Sequence, residues 1–187
     1  MPLTKADALK KVQDEIRNCP ICPQGMIGLP VPGEGNAEAR FIAVGEAPGA
    51  KEAETGRPFI GRSGKLLTQL LESIGISREE IYITSPVSYF PGRRAPTPAE
   101  VAHGRTHFFK QVTIIDPEFL VCMGATALYA VTGDKMKVMQ VHGKPFVYKD
   151  RKIFPTLHPA AAIRFQKNKA LIESDFQELK KYLDNTK

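Results

Sequence analysis

The sequence predicts an α/β fold, a three-layer sandwich in which a central parallel sheet is covered by helices on both faces. Three observations carry this reading. Short apolar runs without polar alternation, at residues 41–45, 81–85 and 119–124, read as strands buried on both sides. Between them lie segments with apolar residues at helical spacing, as in Leu66, Leu67, Leu70, Leu71 and Ile74. Gly- and Pro-containing turns follow the runs rather than interrupt them. Such alternation argues for parallel strands joined by crossover helices.

The elements follow in order. Residues 4–17 make an amphipathic helix with Leu9, Val12 and Ile16 on one side. Residues 19–35 are rich in Pro and Gly and read as loop. The strand at 41–45 leads to a helix at 63–74, a strand at 81–85 and a helix at 98–115. That last helix has a well-marked start, because Thr97, Pro98 and Glu100 form a capping box with proline at the first helical position. A strand at 119–124 and a helix at 125–131 come next, then a hairpin-like pair at 146–149 and 152–156, and a closing helix at 169–183. No repeat and no long linker interrupts the series. At 187 residues the chain can bury a full core, and residues 1–187 are expected to form a single domain.

Composition narrows the function classes. Lys plus Arg number 26 against 20 Asp plus Glu, a net charge of +6 that suits a polyanionic partner if it gathers on one face. The basic residues of 57–65, Arg93, Arg94, Arg105 and those of 164–169 are the candidates for that face. No apolar stretch approaches the roughly 20 residues needed to span a bilayer, and the first residues lack the apolar core of a signal peptide. A soluble, intracellular protein without membrane association is therefore expected. Three cysteines are too few for a disulfide framework, and the odd count fits a reducing compartment. Cys122, inside a predicted strand, reads as a buried small hydrophobe.

The chemistry is sought in two segments. Residues 44–67, VGEAPGAKEAETGRPFIGRSGKLL, place Glu46 in a Gly/Pro turn at the carboxyl end of a strand, where open α/β sheets hold their ligands. A P-loop is excluded, because it would need glycine in place of Phe59 and Ser or Thr in place of Leu66. A dinucleotide fingerprint fails on the spacing of Gly45 and Gly49. The plain alternative is a βα connection carrying surface charge. The second segment runs from Pro155 to Arg164, where the proline after His158 restricts the histidine backbone to an extended or turn conformation.

Taken together, Gly45-Glu46-Ala47-Pro48-Gly49, the strand end Tyr82-Ile83-Thr84, and Leu157-His158-Pro159-Ala160 with Arg164 resemble the iron–sulfur (family four) uracil-DNA glycosylases, over residues 19–164. The resemblance implies the glycosylase fold and the removal of uracil or another deaminated base from DNA by hydrolysis of the N-glycosidic bond, a step of base excision repair. It assigns catalysis to Glu46 and His158, and the base pocket to Gly45, Ala47, Pro48, Gly49, Phe59 and Ser85. It gives Arg57, Arg62, Ser63 and Arg164 to the DNA phosphates, with Ala162 and Ile163 as the intercalating tip. Extrusion of a base costs a few kcal/mol and calls for such a stacking ring and wedge. Phe59 has a second reading as a core residue, and the Ala162–Ile163 pair one as a cap on the final helix. No lysine in these loops is placed as a Schiff-base nucleophile, so a monofunctional enzyme is expected. The partner is then DNA carrying a damaged base, the protein a monomer, and its location cytoplasmic and nucleoid-associated. Two alternatives stay open: a non-catalytic DNA-binding or lesion-sensing derivative, and an unrelated small-nucleotide hydrolase using Glu46 and His158.

Two departures from the family pattern bear on specificity and metal. Ser85 stands where the family has asparagine; one hydroxyl cannot make both contacts that an amide offers to uracil, so a broader or different base preference follows. The family's [4Fe–4S] cluster uses a Cys-x-x-Cys pair and two later cysteines. Cys19 and Cys22 match the pair, whereas the third position falls at about Tyr89 and the fourth near His103 or Gly104. The cluster is expected to be lost and no cofactor to replace it. Zinc held by Cys19, Cys22, His103 and His107 is the open alternative, the two histidines standing one helical turn apart; so is a solvent-facing set without metal.

Overall fold

The computed structural model describes residues 3–185. Helix α1 (Lys5–Arg17) opens on a capping box between Thr4 and Asp7 and buries Leu9, Val12 and Ile16, the stripe read from the sequence. Strand β1 (Glu34–Gly35) ends the long loop, and β2 (Phe41–Val44) starts the central sheet. Helices α2 (Ala50–Thr55) and α3 (Arg62–Ser73) follow, then a 3-10 turn at Arg78–Glu80 and β3 (Tyr82–Thr84). Helix α4 (Pro98–Ile115) begins at the Thr97 box and leads to β4 (Phe119–Met123) and α5 (Ala125–Thr132). Short α6 (Val138–Val141) precedes the hairpin of β5 (Phe146–Tyr148) and β6 (Arg151–Thr156). Helices α7 (Pro159–Arg164) and α8 (Lys167–Asp184) complete the described chain.

The six strands lie in the order β1-β3-β2-β4-β6-β5. The four inner strands β3, β2, β4 and β6 are mutually parallel, with Ile42 opposite both Tyr82 and Leu120, and Cys122 opposite Pro155. The parallel centre expected from the alternation is present, the hairpin read at 146–156 is the antiparallel β5–β6 pair, and the unanticipated β1 also runs antiparallel at the other edge. At β5 the cause is local. Only Lys149 and Asp150 separate it from β6, Lys149 takes a left-handed φ of 55°, and so short a link closes a hairpin and cannot make a crossover.

Successive residues of each inner strand go to opposite layers, which is why the strands read as unbroken apolar runs. Phe41, Ala43, Ile83, Phe119, Val121 and Phe154 pack with Leu67, Leu70 and Leu71 of α3 and Ile172, Phe176 and Leu179 of α8. Ile42, Val44, Tyr82, Leu120, Cys122 and Ile153 pack with Leu9 of α1, Phe108, Val112 and Ile115 of α4, and Leu128 and Val131 of α5. Each fully buried aliphatic or aromatic side chain contributes about 1.5–3 kcal/mol. The two clusters hold the sandwich rigid on both sides of the edge where β2, β3, β4 and β6 end. Glu46, Ser85, Thr126 and His158 all follow those ends.

Candidate active site

A cavity of about 660 Å³ opens at this edge, lined by Glu46, Ala47, Pro48 and Gly49 after β2, Phe59, Arg62 and Ser63 around the start of α3, Ser85 after β3, and His158 after β6. Phe90, Pro91, Gly92 and Arg94 close it from the segment before α4. The residues expected in one pocket from separate parts of the chain are therefore brought together.

Each functional side chain has a local reason for its position. Thr126 Oγ1, at the start of α5, donates to Glu46 Oε2 at 2.5 Å and orients that carboxylate. His158 caps α7: its Nδ1 accepts the Ala160 N–H at 3.1 Å, so in the neutral ring the proton sits on Nε2. Burial lowers the His158 pKa below the ordinary 6.5, against a smaller upward pull from the Glu46 charge. The imidazole is thus a neutral donor at neutral pH. Upstream, Thr156 Oγ1 donates to Asp175 Oδ2 at 2.6 Å and His142 Nδ1 lies 2.8 Å from Asp175 Oδ1, which ties the end of β6 to α8.

Phe59 is buried as a core residue would be, at 8% exposure, and also lines the cavity. Its ring lies 5.8 Å from that of His158, tilted by 32°. The residue adopts a left-handed φ of 51°, an uncommon conformation for a non-glycine residue that the surroundings impose. Arg78 Nη1 and Nη2 donate to the carbonyls of Phe59 and Pro58 at 3.0 and 2.6 Å, and the buried Glu52 carboxylate accepts the amides of Ile60 and Gly61 at 2.9 and 2.8 Å. Glycine is required at position 45, since a Cβ there would stand 2.6 Å from the Phe59 ring and 2.8 Å from Ser85 Oγ. Gly45 thus seats the Phe59 ring, and it does not line the cavity itself.

Of the expected phosphate contacts, Arg62 is exposed and Ser63 half-buried in the cavity lining, and Arg164 is exposed at the end of α7. Ile163 is 40% exposed and its neighbour Phe165 49%. Ala162 departs from its assignment to the tip: at 5% exposure it packs into the α3/α8 side of the core. One residue advances a helix by about 100°, so Ala162 faces inward where Ile163 faces solvent. Arg57 makes two hydrogen bonds with Glu34, at 2.9 and 2.7 Å, and lies outside the cavity lining. Glu52, Arg78, Thr126 and Asp175 escaped the sequence reading, because each acts through a partner that only folding brings near. The Gly-rich spacing around Glu52 was the one available signal.

A second cluster lies on the other side of the segment before α4. One ligand atom from each of Cys19, Cys22, His103 and His107 lies within 4.8 Å of all the others, so these residues could hold a metal ion. The solvent-facing reading of the set is corrected at His107, which is 8% exposed. Burial pushes the Cys19 thiol up, but hydrogen bonds with His107, the amides of Cys22 and Ile21, and His103 prevail and bring it to about 6. Cys22 is pushed up to about 12 by burial and by its thiol neighbour Cys19. A four-thiolate cluster does not fit, because only two thiols are present and Tyr89, 5% exposed, packs among Val12, Ile16, Cys22 and Met26 where a further thiolate would have to come. Cys122 is fully buried within β4, as expected of a small hydrophobe.

The profile of the uracil DNA glycosylase superfamily matches residues 32–183, and the chain belongs to that superfamily. Within it, the chain is similar to the type-4 uracil-DNA glycosylase of Thermotoga maritima, at 37% identity over 186 residues covering 96% of this chain and 97% of the relative. It is also similar to the type-4 enzymes of Sulfurisphaera tokodaii, at 35% identity over 93% of this chain and 84% of the relative, and of Archaeoglobus fulgidus, at 34% over 92% of each. Among the described residues, no helix is long and apolar enough to cross a membrane.

Proposed function

We propose that this chain is a monofunctional DNA N-glycosylase that removes uracil or another deaminated base from DNA. The observation that carries the reading is the convergence of Glu46, Phe59 and His158 on one cavity at the carboxyl edge of the sheet. The extruded base stacks on Phe59, with Ser85 and the amides of the Ala47–Gly49 turn within the same lining to meet its polar edge. As the bond from the sugar C1′ to the base nitrogen breaks, its electron pair leaves with the base. The neutral His158 donates through Nε2–H to the anion that develops, a contact typically worth about 3 kcal/mol. Glu46, held by Thr126, stabilises the cationic sugar and takes the proton of the water that adds to C1′.

Arg62, Ser63 and Arg164 are proposed phosphate contacts, and Ile163 the wedge that fills the gap left by the base. The protein acts as a single-domain monomer in the cytoplasm, associated with the nucleoid. No iron–sulfur cluster takes part in this reading, and the Cys19–His107 group is a candidate for a single ion only.

The test is single-turnover excision on oligonucleotides carrying uracil, hypoxanthine, xanthine or normal bases. Release of a deaminated base is expected, with Glu46→Gln and His158→Ala each slowing it at least about 100-fold while DNA affinity is kept. Wild-type rates in both variants would overturn the assignment.

A further inference from the structure

We propose that Cys19, Cys22, His103 and His107 form a closed, four-coordinate site for one Zn²⁺ ion, at the place where the family-four resemblance implies an iron–sulfur cluster. The site does not rest on the glycosylase reading, since a chain that releases no base can still hold the ion.

The first support is geometric. In a tetrahedral zinc site with Zn–S of about 2.3 Å and Zn–N of about 2.0–2.1 Å, the ligand atoms stand roughly 3.3–3.8 Å from one another. Here all four ligand atoms lie within 4.8 Å of one another, and Cys19 Sγ is 3.2 Å from His103 Nε2. Side-chain adjustments of about an ångström bring the set to coordination distance. The two halves come from elements that already pack together. The cysteines follow the end of α1, closed by the Asn18 amide on Asp14 O, and the histidines stand one turn apart on α4. Residues four apart share a helix face, so both imidazoles meet the Cys loop.

The second support is His107. Its Nδ1 is a buried polar atom without a hydrogen-bond partner, whereas buried polar atoms are otherwise almost always paired. Coordination through one ring nitrogen leaves the proton on the other, and the carboxylate of Glu15 stands 3.8 Å from Nδ1. That Glu15 oxygen, Oε2, is paired with Lys110 Nζ, and a small turn of the ring on binding the ion through Nε2 would close the gap to the hydrogen bond that commonly fixes the tautomer of a metal-bound imidazole.

The donor set then selects the metal. Two thiolates and two imidazoles suit Zn²⁺, and the two thiolate charges cancel that of the ion, giving a neutral centre for half-buried cysteines beside Val12, Ile16 and Tyr89. Each thiol gives up its proton to solvent on binding. Two cysteines and two histidines also ligate the dinuclear Rieske cluster, but there the cysteines bind one iron and the histidines the other. The contact between Cys19 and His103 is too short to leave room for two irons between thiolate and imidazole.

All four positions being filled by protein, the site is structural and not catalytic. It anchors the loop that runs on to the pocket wall. Ile27 N donates to Phe90 O at 2.9 Å and Val31 N to Ser88 O at 2.7 Å, and Phe90 lines the active-site cavity.

The experiment is metal analysis of the reduced, full-length protein prepared with zinc supplied, together with absorption spectroscopy after exchange into Co²⁺. About one zinc per chain is expected, lost in Cys22→Ser and in a His103→Asn, His107→Asn double variant. The Co²⁺ form should show the intense visible bands of a tetrahedral thiolate site, and chelator should lower the wild-type melting temperature. Should the variants fail to fold, the Co²⁺ spectrum of the wild type still decides. Substoichiometric zinc with both thiols freely titratable, a weak octahedral cobalt spectrum, or two or four irons per chain would each overturn the proposal.

Discussion

In the proposed mechanism, His158 is the group through which pH acts on the cavity. Burial holds its folded pKa below the ordinary 6.5, so as the pH falls the unfolded chain takes up the proton first. Its contribution to stability is present above the unfolded value and is lost as the pH falls through the folded one. The proton would arrive on Nδ1, which now accepts the Ala160 amide, so protonation breaks the cap of α7 as well. Single-turnover base release is expected to stay level from neutral pH to below 6.5 and to fall only in more acid solution, insofar as His158 controls it. A decline centred above 6.5 would contradict the neutral-donor assignment. At Ser85, 8% exposed in the cavity wall, a rotatable hydroxyl stands where the family resemblance implies an amide that donates and accepts at once. One good polar contact discriminates by about 1–3 kcal/mol, so Ser85→Asn should raise uracil excision roughly 10-fold or more while other bases gain nothing. Slower uracil release on installing asparagine would show that Ser85 is the proper reader of a differently shaped pocket.

Among the elements, the turn at Phe59 is the most constrained. It is held by Arg78 and Glu52, and Gly45 leaves no space beneath the ring. Gly45→Ala must push Phe59 out of its seat, and overpacking of this kind costs about 1–3 kcal/mol. The variant should therefore lose stability in chemical denaturation and lose excision rate beyond what the stability change explains; unchanged rates would separate the Phe59 seat from catalysis. Elements with a local signature were legible in the sequence. The Thr97 box started α4 where expected, the Leu9–Val12–Ile16 stripe gave α1, apolar runs gave β2, β3 and β4, and the hairpin-like pair gave β5 and β6. Elements that depend on partners were not. β1 has only two residues, and α7 begins at Pro159 in what reads locally as a turn. The site was legible to the same extent: Glu46 and His158 follow strand ends in recognisable turns. Thr126 and Asp175 carry no local mark, because their role lies in hydrogen bonds to residues 80 and 19 positions away.

For the molecule as a whole, the excess of 26 basic over 20 acidic residues becomes functional only where it is free to meet phosphate. Arg57 and Arg94 are engaged with Glu34 and Glu100, the latter carboxylate being held down to about 2 by the Arg94 guanidinium. Arg62 lines the cavity and is exposed, and Arg164 is exposed at the end of α7. DNA affinity should fall steeply with salt as counterions are released, and Arg164→Ala should reduce the slope by about one phosphate contact without changing base preference. Affinity independent of salt would remove DNA as the partner.

The strand order has a consequence for how the enzyme comes into being. β2 pairs with both β3 and β4, and β4 with β6, so the carboxyl edge is complete only when residues far apart in the chain have met. Such non-local pairings form late, after the entropy of closing long loops has been overcome. Glu46 leaves the ribosome early and His158 more than a hundred residues after it. A nascent chain can thus present its carboxylate, its basic loop and much of its first two strands while still having no group to receive the departing base. On the proposed mechanism, a chain is expected to release no base until β6 and the His158 turn have joined the sheet.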